Sequence, residues 1–501
     1  MVSVWKKLMT MATVVVTVAS MAACGSRGGV SSSSKEIHIG RTEVFDGFNL
    51  DQELLNESYA ISSAVLEPLI RVGKQGKELE SGIAQSWEYN ADNTALTIHL
   101  THGVKFSNGK TLTAKDVAFS VEQWKKGPNY GANYSSIEST TIKDDNTIVL
   151  NLSRPDTSIP AFLSYAVAGV VPDNFAGKTE KQFWQHPIGA GAFTVEKWST
   201  DGDIVLDKNP KYYRKGYPKV DKVTNSYVSD SNSIALQLKS KQLDIANQVD
   251  AVTAKSLDQN LIADVPAHQT PTLIFNVKNE YLSNKKVRQA IGYALDYKTI
   301  LSTGFNGYGE IPESSLPPNL KGATKASSGY YSYNVSKAKE LLQGIDKPSK
   351  PLELMYSTGT GQALVQIIQD DLEKVGIPAE LKKVDGGTWS ASLSDGDFDL
   401  NIFETNANSP DLIDAPSYVV STKMLYSQDD TSELSKLIEQ YKETSDASQK
   451  AMIVQNIDDY LTDEAPYVVL AAAKVIVARQ TDLKGLEVEP WSCYYYDTIT
   501  R

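Results

Sequence analysis

The N-terminal segment constrains this chain most, because it decides in which compartment the rest must fold. Residues 1–7 carry Lys6 and Lys7, and the apolar residues 8–23 carry no charge. A basic start, an apolar run and small residues before a cleavage point are the pattern of an export signal. A membrane anchor is the alternative, but the run is shorter than the ~20 residues that a spanning helix needs. We therefore expect residues 1–23 to be a signal peptide and the remainder to fold outside the cytoplasm.

The small residues at the end of this run stand directly before a cysteine, in the string Met21-Ala22-Ala23-Cys24. The string resembles a bacterial lipobox, with Met21 where the pattern prefers leucine. The resemblance implies that Cys24 becomes a lipid-bearing N-terminus. The Gly/Ser-rich residues 24–35 then predict a flexible linker. The predicted location is the outer face of the cell membrane, with the lipid on Cys24 as the anchor.

Charge and cysteine content argue against several classes of protein. The net formal charge is −12, which argues against nucleic acid as a partner, because phosphate binding needs a basic footprint. Cys493 is the only cysteine besides Cys24, so we expect neither an intramolecular disulfide nor a cysteine-based zinc site. The sequence has no Gly-x-Ser-x-Gly or His-Glu-x-x-His motif, and its five histidines form no metal-binding pattern. We predict a protein that is not an enzyme and that needs no metal or cofactor.

Periodicity along the chain predicts two halves of different character. In the first half, a strand at 95–106 turns at Asn108-Gly109, and Thr113 caps the next helix with Asp116 three residues on. In the second half, strands alternate with helices such as 361–375, which Gly376 ends. The pattern favours a mixed α+β first half and an α/β second half. Two such lobes that meet at a cleft can close around a solute.

Several strings resemble those of family 5 of the solute-binding proteins of ABC importers, which includes oligopeptide-, dipeptide- and nickel-binding proteins. The resemblance covers roughly residues 40–490, in the family's order. The most specific string is Val287-Arg288-Gln289-Ala290, with Asp296 after it. We expect Arg288 itself to be structural, paired with a carboxylate such as Asp296 or with a backbone carbonyl. The other matching strings are 66–69 (LEPL), 83–87 (IAQSW), 104–109 (VKFSNG), 113–117 (TAKDV), 188–193 (IGAGAF), 209–213 (NPKYY), 372–377 (LEKVGI) and 396–400 (GDFDL).

The resemblance implies a two-lobed, hinged periplasmic-binding-protein fold of type II. It is α/β with a mixed α+β first lobe, and an extra subdomain is inserted in that lobe. The crossings between the lobes are expected near 274–279 and 468–474. The expected boundaries are 36–72, 186–275 and 475–501 for lobe I, 73–185 for the inserted subdomain and 276–474 for lobe II.

The resemblance also implies a function: a monomer that captures a peptide or peptide-like solute and delivers it to a membrane permease powered by ATPase subunits. Peptide-binding members hold the peptide's ammonium with a carboxylate four residues before a proline. Here that proline is Pro410, and the matching position is Asn406, an amide. A charge-assisted bond there is worth ~1.5–3 kcal/mol, so its loss matters. Either Glu404, in the place of a family tryptophan, or Asp411 takes the ammonium, or the ligand is not an ordinary peptide.

Alternatives to peptide capture stay open. Relatives that bind nickel or metal chelates commonly use histidine and arginine, but residues 280–470 contain no histidine, which disfavours direct nickel ligation and leaves a pre-formed chelate possible. A sensor or adhesin with the same fold and a secreted hydrolase are the remaining alternatives. The candidate ligand-binding residues, each of which could equally be core packing, are Trp389, Glu404, Asn406, Asp411, Tyr418, Trp491, Tyr494, Tyr495 and Tyr496.

Overall fold

The computed structural model describes residues 35–49, 56–73, 76–128, 130–357, 360–405, 407, 409–421, 432–489 and 494–501. Residues 35–501 form one compact unit, and the description below concerns that unit. The predicted signal peptide, Cys24, Asn406, Trp491 and Cys493 lie outside the described residues. Among the helices that are described, none has the length and apolarity to cross a membrane.

The strands and helices alternate along the chain. The strands are β1 Glu36–Arg41, β2 Ile70–Val72, β3 Leu79–Ser81, β4 Ala84–Tyr89, β5 Ala95–Leu100, β6 Ile137–Asp144, β7 Thr147–Leu152, β8 Phe193–Lys197, β9 Ile204–Lys208, β10 Lys222–Tyr227, β11 Ile245–Ala246, β12 Pro271–Phe275, β13 Gly309–Glu310, β14 Leu352–Ser357, β15 Ala379–Val384, β16 Leu400–Glu404, β17 Tyr467–Val469, β18 Ala472–Ala473 and β19 Ala478–Arg479. The α-helices are α1 Asn56–Leu66, α2 Ala114–Trp124, α3 Ile159–Phe162, α4 Glu180–Gln185, α5 Ser231–Lys239, α6 Ala251–Ser256, α7 Glu280–Ser283, α8 Lys285–Ala294, α9 Tyr297–Thr299, α10 Val335–Leu341, α11 Gln362–Lys374, α12 Gly386–Asp395, α13 Asp414–Ser421, α14 Ser432–Glu443 and α15 Ala447–Glu464.

The first lobe is built on a mixed six-stranded sheet in the order β19-β11-β1-β10-β9-β8. β1 runs parallel to β10 and β11, and the other neighbouring strands are antiparallel. Ile37 and Ile39 of β1 are buried, as the two-residue period of a strand requires. Close backbone approach explains the first glycine of the 188–193 string: a Cβ at Gly189 would lie 1.8 Å from the Val65 carbonyl oxygen. Glycine is therefore required at this contact with α1.

A four-stranded antiparallel sheet, β4-β5-β7-β6, lies in the chain between β1 and β8. This insertion confirms the predicted extra subdomain of the first lobe. Helix α2 packs on it, and its predicted capping box is present, with the Thr113 N–H donating to Asp116 at 2.8 Å. The predicted strand at 95–106 ends earlier, at Leu100, because the chain turns there. Gly109 has the positive φ, 87°, that the predicted turn needs.

The second lobe contains a five-stranded sheet in the order β15-β14-β16-β12-β17. Strands β15, β14 and β16 run parallel, and β12 is antiparallel to both β16 and β17. Helices cover both faces, with α8 and α11 in the core cluster on one side and α12–α15 on the other. Sheets of this kind, with helices between the strands, confirm the predicted α/β class of the second half.

The chain passes between the two lobes twice, once between β11 and β12 and once between β17 and β19. Bridges between Ile262 and Ala478 and between Gln269 and Ala473 join the two passages. The second passage includes residues 470–477, near the expected crossing at 468–474. The first precedes the expected 274–279, because β12 already pairs inside the second lobe's sheet. β12 therefore belongs to the sheet of the second lobe from Pro271 onward.

Arg288 has the structural role that was expected of it. Its guanidinium donates to the carbonyl oxygens of Glu464 at 2.7 Å and Ala465 at 3.0 Å, and to that of Leu282 at 3.0 Å. The carbonyl alternative is therefore realised, and the Glu464 carboxylate lies 3.8 Å from the guanidinium as a longer ionic contact. Asp296 instead caps α9 and accepts from the Thr299 hydroxyl at 2.8 Å.

Candidate binding site between the lobes

The two lobes meet along a buried apolar surface. A single core cluster contains Leu163 and Val167 of the inserted subdomain together with Leu412 and Val419 of the second lobe. A solute bound along this surface would be enclosed by both lobes. Polar groups within it are therefore the candidates for binding and orienting a solute.

A tyrosine–carboxylate cluster interrupts this apolar surface; it consists of Tyr59, Tyr130 and Tyr165 of the first lobe and Asp414 and Tyr418 of the second. The hydroxyls of Tyr59 and Tyr130 hydrogen-bond to each other. The rings of Tyr130 and Tyr165 meet edge to face, with their centres 5.9 Å apart. Asp414, in the first turn of α13, is 4% exposed and lies close enough to Tyr165 to raise the pKa of its hydroxyl. The cluster thus joins the lobes through polar groups.

Burial raises the pKa values of three tyrosines in this cluster, Tyr130, Tyr165 and Tyr418, and Asp414 raises them further. Burial is the main cause for Tyr130 and Tyr165, with Asp414 contributing to both. Burial first and Asp414 second raise the pKa of Tyr418 to about 12. These hydroxyls stay protonated at neutral pH and surround the carboxylate with neutral donors and acceptors. Such a set suits a solute that carries N–H or ammonium groups.

Tyr418 is the predicted site residue that this cluster contains. The sequence analysis did not select Asp414 or the three tyrosines of the first lobe. The available signal was the tyrosine content, 25 in the chain, which does not show which tyrosines converge. Only the pairing of α13 with the inserted subdomain brings them together.

The loop after β16 holds the two carboxylates that the sequence offered in place of Asn406. Glu404 ends β16 and is exposed. Asp411 accepts from the Tyr441 hydroxyl at 2.6 Å and from the Ile413 N–H at 3.2 Å, and its own N–H donates to Ser409. Asp411 is therefore engaged in holding the loop against α14, and Asp414 is the more deeply buried carboxylate of this region.

Trp389, on α12, packs onto its own lobe. Its indole N–H donates to Asn401 Oδ1 at 2.8 Å, and its ring stacks on Phe403 with the centres 5.9 Å apart and the planes 14° apart. Asn401 and Phe403 are two residues apart on β16 and so lie on the same face of the strand. The contacts of Trp389 therefore extend the face of β16 that α12–α15 cover.

The C-terminal tyrosines pack within the first lobe. Tyr494 and Tyr496 are buried, and Tyr496 donates to Asn225 of β10 at 3.3 Å. The Tyr495 hydroxyl accepts from the Val72 N–H at 2.9 Å. These are contacts of core packing, which the sequence analysis gave as the alternative for these residues.

A buried ionic network lies beside this tail, and the sequence analysis did not select it. Arg71 pairs with Glu67 at 3.0 Å and with Asp497 at 3.1 Å, and Arg214 pairs with Asp497 at 2.8 Å. Burial disfavours the charged guanidinium, but Glu67 and Asp497 outweigh it and raise the pKa of Arg71. The Tyr212 hydroxyl completes the network on the two carboxylates. The network ties the 66–69 and 209–213 strings to the C-terminus.

Two further features of the described residues bear on the site. A separate groove of about 150 Å³ lies in the first lobe, lined by Leu66, Trp124, Phe175 and Trp184 among others, and contains none of the candidate residues. Its wall includes Asn49, which adjoins residues 50–55, outside the described residues, so the groove is not a candidate site. No three His, Cys, Asp or Glu side chains of the described residues lie close enough together to hold a metal ion.

Comparison with known proteins extends the description. A profile for "Bacterial extracellular solute-binding proteins, family 5 Middle" matches residues 78–424. The glutathione-binding protein GsiB of Salmonella choleraesuis (strain SC-B67) is 24% identical over 471 residues, which cover 88% of this chain and 89% of GsiB. The periplasmic binding protein DppA from Helicobacter pylori, solved with the peptide STSA, has a TM-score of 0.82 at 22% identity, covering 93% of this chain and 97% of its own. NikA from Staphylococcus aureus, solved with Ni(L-His)2, has a TM-score of 0.78 at 20% identity, covering 93% and 100%.

Proposed function

Because the chain belongs to family 5 of the bacterial extracellular solute-binding proteins, we propose that it captures a peptide or peptide-like solute between its lobes and delivers it to the permease and ATPase subunits of an ABC importer. The tyrosine–carboxylate cluster carries this proposal, since it places hydrogen-bonding groups of both lobes in one enclosed surface. The names of two similar proteins support it: GsiB is named for glutathione, and DppA was solved with a peptide. Capture needs no bond to be made or broken, only a solute that binds the closed form better than the open form.

Asp414 is proposed as the carboxylate that meets a cationic group of the solute. Its burial, its place in the second lobe and the hydroxyl of Tyr165 beside it support this role. Glu404 is exposed and Asp411 holds Tyr441, so both fit the role less well. The ammonium of a peptide is a suitable partner, because a charge-assisted hydrogen bond is stronger in a surface that excludes water.

The location and architecture complete the proposal. Cys24 carries the lipid that anchors the protein to the outer face of the membrane, and the mature body works as a monomer. Lobe I comprises 36–72, 186–270 and 475–501, with the subdomain 73–185, and lobe II comprises the rest up to 474. Labelling cells with a radioactive fatty acid tests the anchor: the wild type should take up label, and Cys24→Ser should not.

Titration calorimetry tests the capture. A pool of di- to hexapeptides should release heat on binding the purified mature protein, and native mass spectrometry should identify the bound members. A Ni(L-His)2 chelate is the matched comparison, because NikA, solved with that complex, has the same fold. If the chelate bound and the peptides released no heat, the proposed solute would be a metal chelate and not a peptide. A solute bound but not imported by vesicles that contain the permease would favour a sensor or adhesin.

A further inference from the structure

Thr157 of the inserted subdomain hydrogen-bonds to the end of a helix in the second lobe. The Thr157 N–H donates to the Lys442 carbonyl oxygen at 2.7 Å. Its hydroxyl lies 3.0 Å from the carbonyl oxygens of both Lys442 and Thr444. These carbonyls end α14, where a helix lacks its own hydrogen-bond donors. A residue of one lobe thus caps a helix of the other.

An ion pair covers this contact on its outer side. Arg154 Nε lies 2.6 Å from Glu439 Oε2, and about a third of each side chain is exposed, 34% and 39%. The Glu439 carboxylate raises the pKa of Arg154. The pair therefore lies at the rim of the interface, with the Thr157 contact beneath it.

The loop that carries Arg154 and Thr157 is held in place by its own subdomain. The Asp156 carboxylate is buried and accepts from the Ser136 hydroxyl at 2.7 Å and the Ser158 N–H at 3.0 Å. The Asp156 carbonyl oxygen accepts from the Tyr89 hydroxyl at 2.5 Å. A loop fixed in this way loses little conformational entropy when the other lobe arrives.

The C-terminal end of α14 adjoins the candidate binding region. Tyr441, one residue before Lys442, donates to Asp411 at 2.6 Å, and the Lys450 ammonium lies 4.2 Å from the centre of the Tyr441 ring. The rim contact and the loop after β16 are thus joined by a single side chain. A solute that protruded here would have to separate residues 154–157 from α14.

We propose that residues 154–157 and the C-terminal end of α14 form an interlobe clamp that determines solute length: it holds solutes enclosed on this side and excludes those that extend past it. This inference rests on the proposed capture of a solute between the lobes. Because the clamp joins the lobes, it forms only on closure, so its free energy adds to the preference of a bound solute for the closed form.

The test compares the wild type with Thr157→Val, Arg154→Ala and the double variant. Thr157→Val keeps the shape and the backbone N–H but loses the hydroxyl. Lys382→Ala is the control, because the ion pair of Lys382 with Glu353 lies at 2.8 Å within the second lobe. Each protein is mixed with a random di- to hexapeptide pool, native mass spectrometry records the bound lengths, and a chase with unlabelled pool gives dissociation rates.

We expect the double variant to release short peptides about tenfold faster and to bind longer peptides than the wild type and Lys382→Ala do. The melting temperature without solute should be unchanged, since we propose that the clamp forms only when the lobes close. Wild-type rates and lengths in the double variant, or a lowered melting temperature without solute, would overturn the clamp. A wild type that binds no member of the pool would instead overturn the proposed function.

Discussion

The guanidinium carbon of Arg71 lies 3.6 Å from the centre of the Tyr495 ring. This stacking holds a tail residue over a charged group that is itself paired with two buried carboxylates. Cation–π contacts of this kind are strongest where water is excluded. The tail is therefore part of the first lobe's core. The charge of Arg71 compensates the two buried carboxylates in that core.

Replacing Arg71 by Met should destabilise the protein strongly. The side chains of Glu67 and Asp497 are each 2% exposed, so the variant would leave buried carboxylates with less compensation, a change that typically costs about 3–5 kcal/mol. Arg214 still pairs with Asp497 in the variant. Glu67 is therefore the carboxylate more affected by the loss of the Arg71 charge. Urea unfolding measures the free energy of unfolding.

Lys222→Met is the matched control, because Lys222 pairs with Glu196 and Asp207 at the surface, where ion pairs contribute ~0–1 kcal/mol. Equal losses for the two variants would show that the Arg71 network is not a source of stability.

Asp414→Asn should weaken binding of peptides with a free amino terminus about tenfold or more. The amide keeps the shape but removes the charge, and a charge-assisted hydrogen bond is worth ~1.5–3 kcal/mol. N-acetylated peptides should bind the variant and the wild type alike. Calorimetry with the two peptide forms measures this difference; Asp411→Asn, in the loop held by Tyr441, should not abolish the discrimination. If Asp411→Asn alone abolished it, the ammonium site would be at Asp411.

Glu489→Gln should stabilise the protein at alkaline pH. Burial, with Glu487 and Glu80 adding to it, raises the pKa of Glu489 to about 9. The folded protein therefore keeps a proton that the unfolded chain loses near its ordinary value of 4.5. Stability is lost as the pH rises from 4.5 towards 9. Between pH 5 and pH 9 the melting temperature of the wild type should decrease, and that of Glu489→Gln should decrease less. Equal decreases in the two proteins would contradict this assignment.

His268 should make the protein less stable in mild acid. The ring lies at the first passage between the lobes, with Nε2 2.9 Å from the Ala407 carbonyl oxygen and Nδ1 3.2 Å from that of Pro318. Complete burial lowers its pKa below 6.5, although the two carbonyls act in the opposite direction. The unfolded chain thus takes up the proton first, and stability falls as the pH drops through about 6.5 towards the folded value.

His268→Gln, whose amide nitrogen can donate to both carbonyls without titrating, tests this. Its melting temperature should change less between pH 7 and pH 5 than that of the wild type. A wild-type slope in the variant would assign the acid sensitivity to other groups.

Local sequence patterns were sufficient to predict most of the second lobe. The predicted helix at 361–375 corresponds to α11, Gln362–Lys374, within one residue at each end. Gly376 ends α11 with φ of 84°, as its position after the apolar stripe indicates. These features depend on side-chain period and on backbone freedom, which neighbours in the chain determine. Helices α12 and α13, which carry weaker periodicity, were not predicted.

The family strings, and with them the two-lobed α/β fold and its inserted subdomain, could be read from the order of residues. What tertiary structure alone decided is which polar groups meet: Asp414 against Tyr165 across the lobes, Tyr495 over Arg71, and Thr157 on the end of α14. The physical reason is that each of these pairs joins segments far apart in the chain. Their energies depend on burial and on the distance between the groups. The periodicity of the sequence indicates neither quantity for segments far apart in the chain.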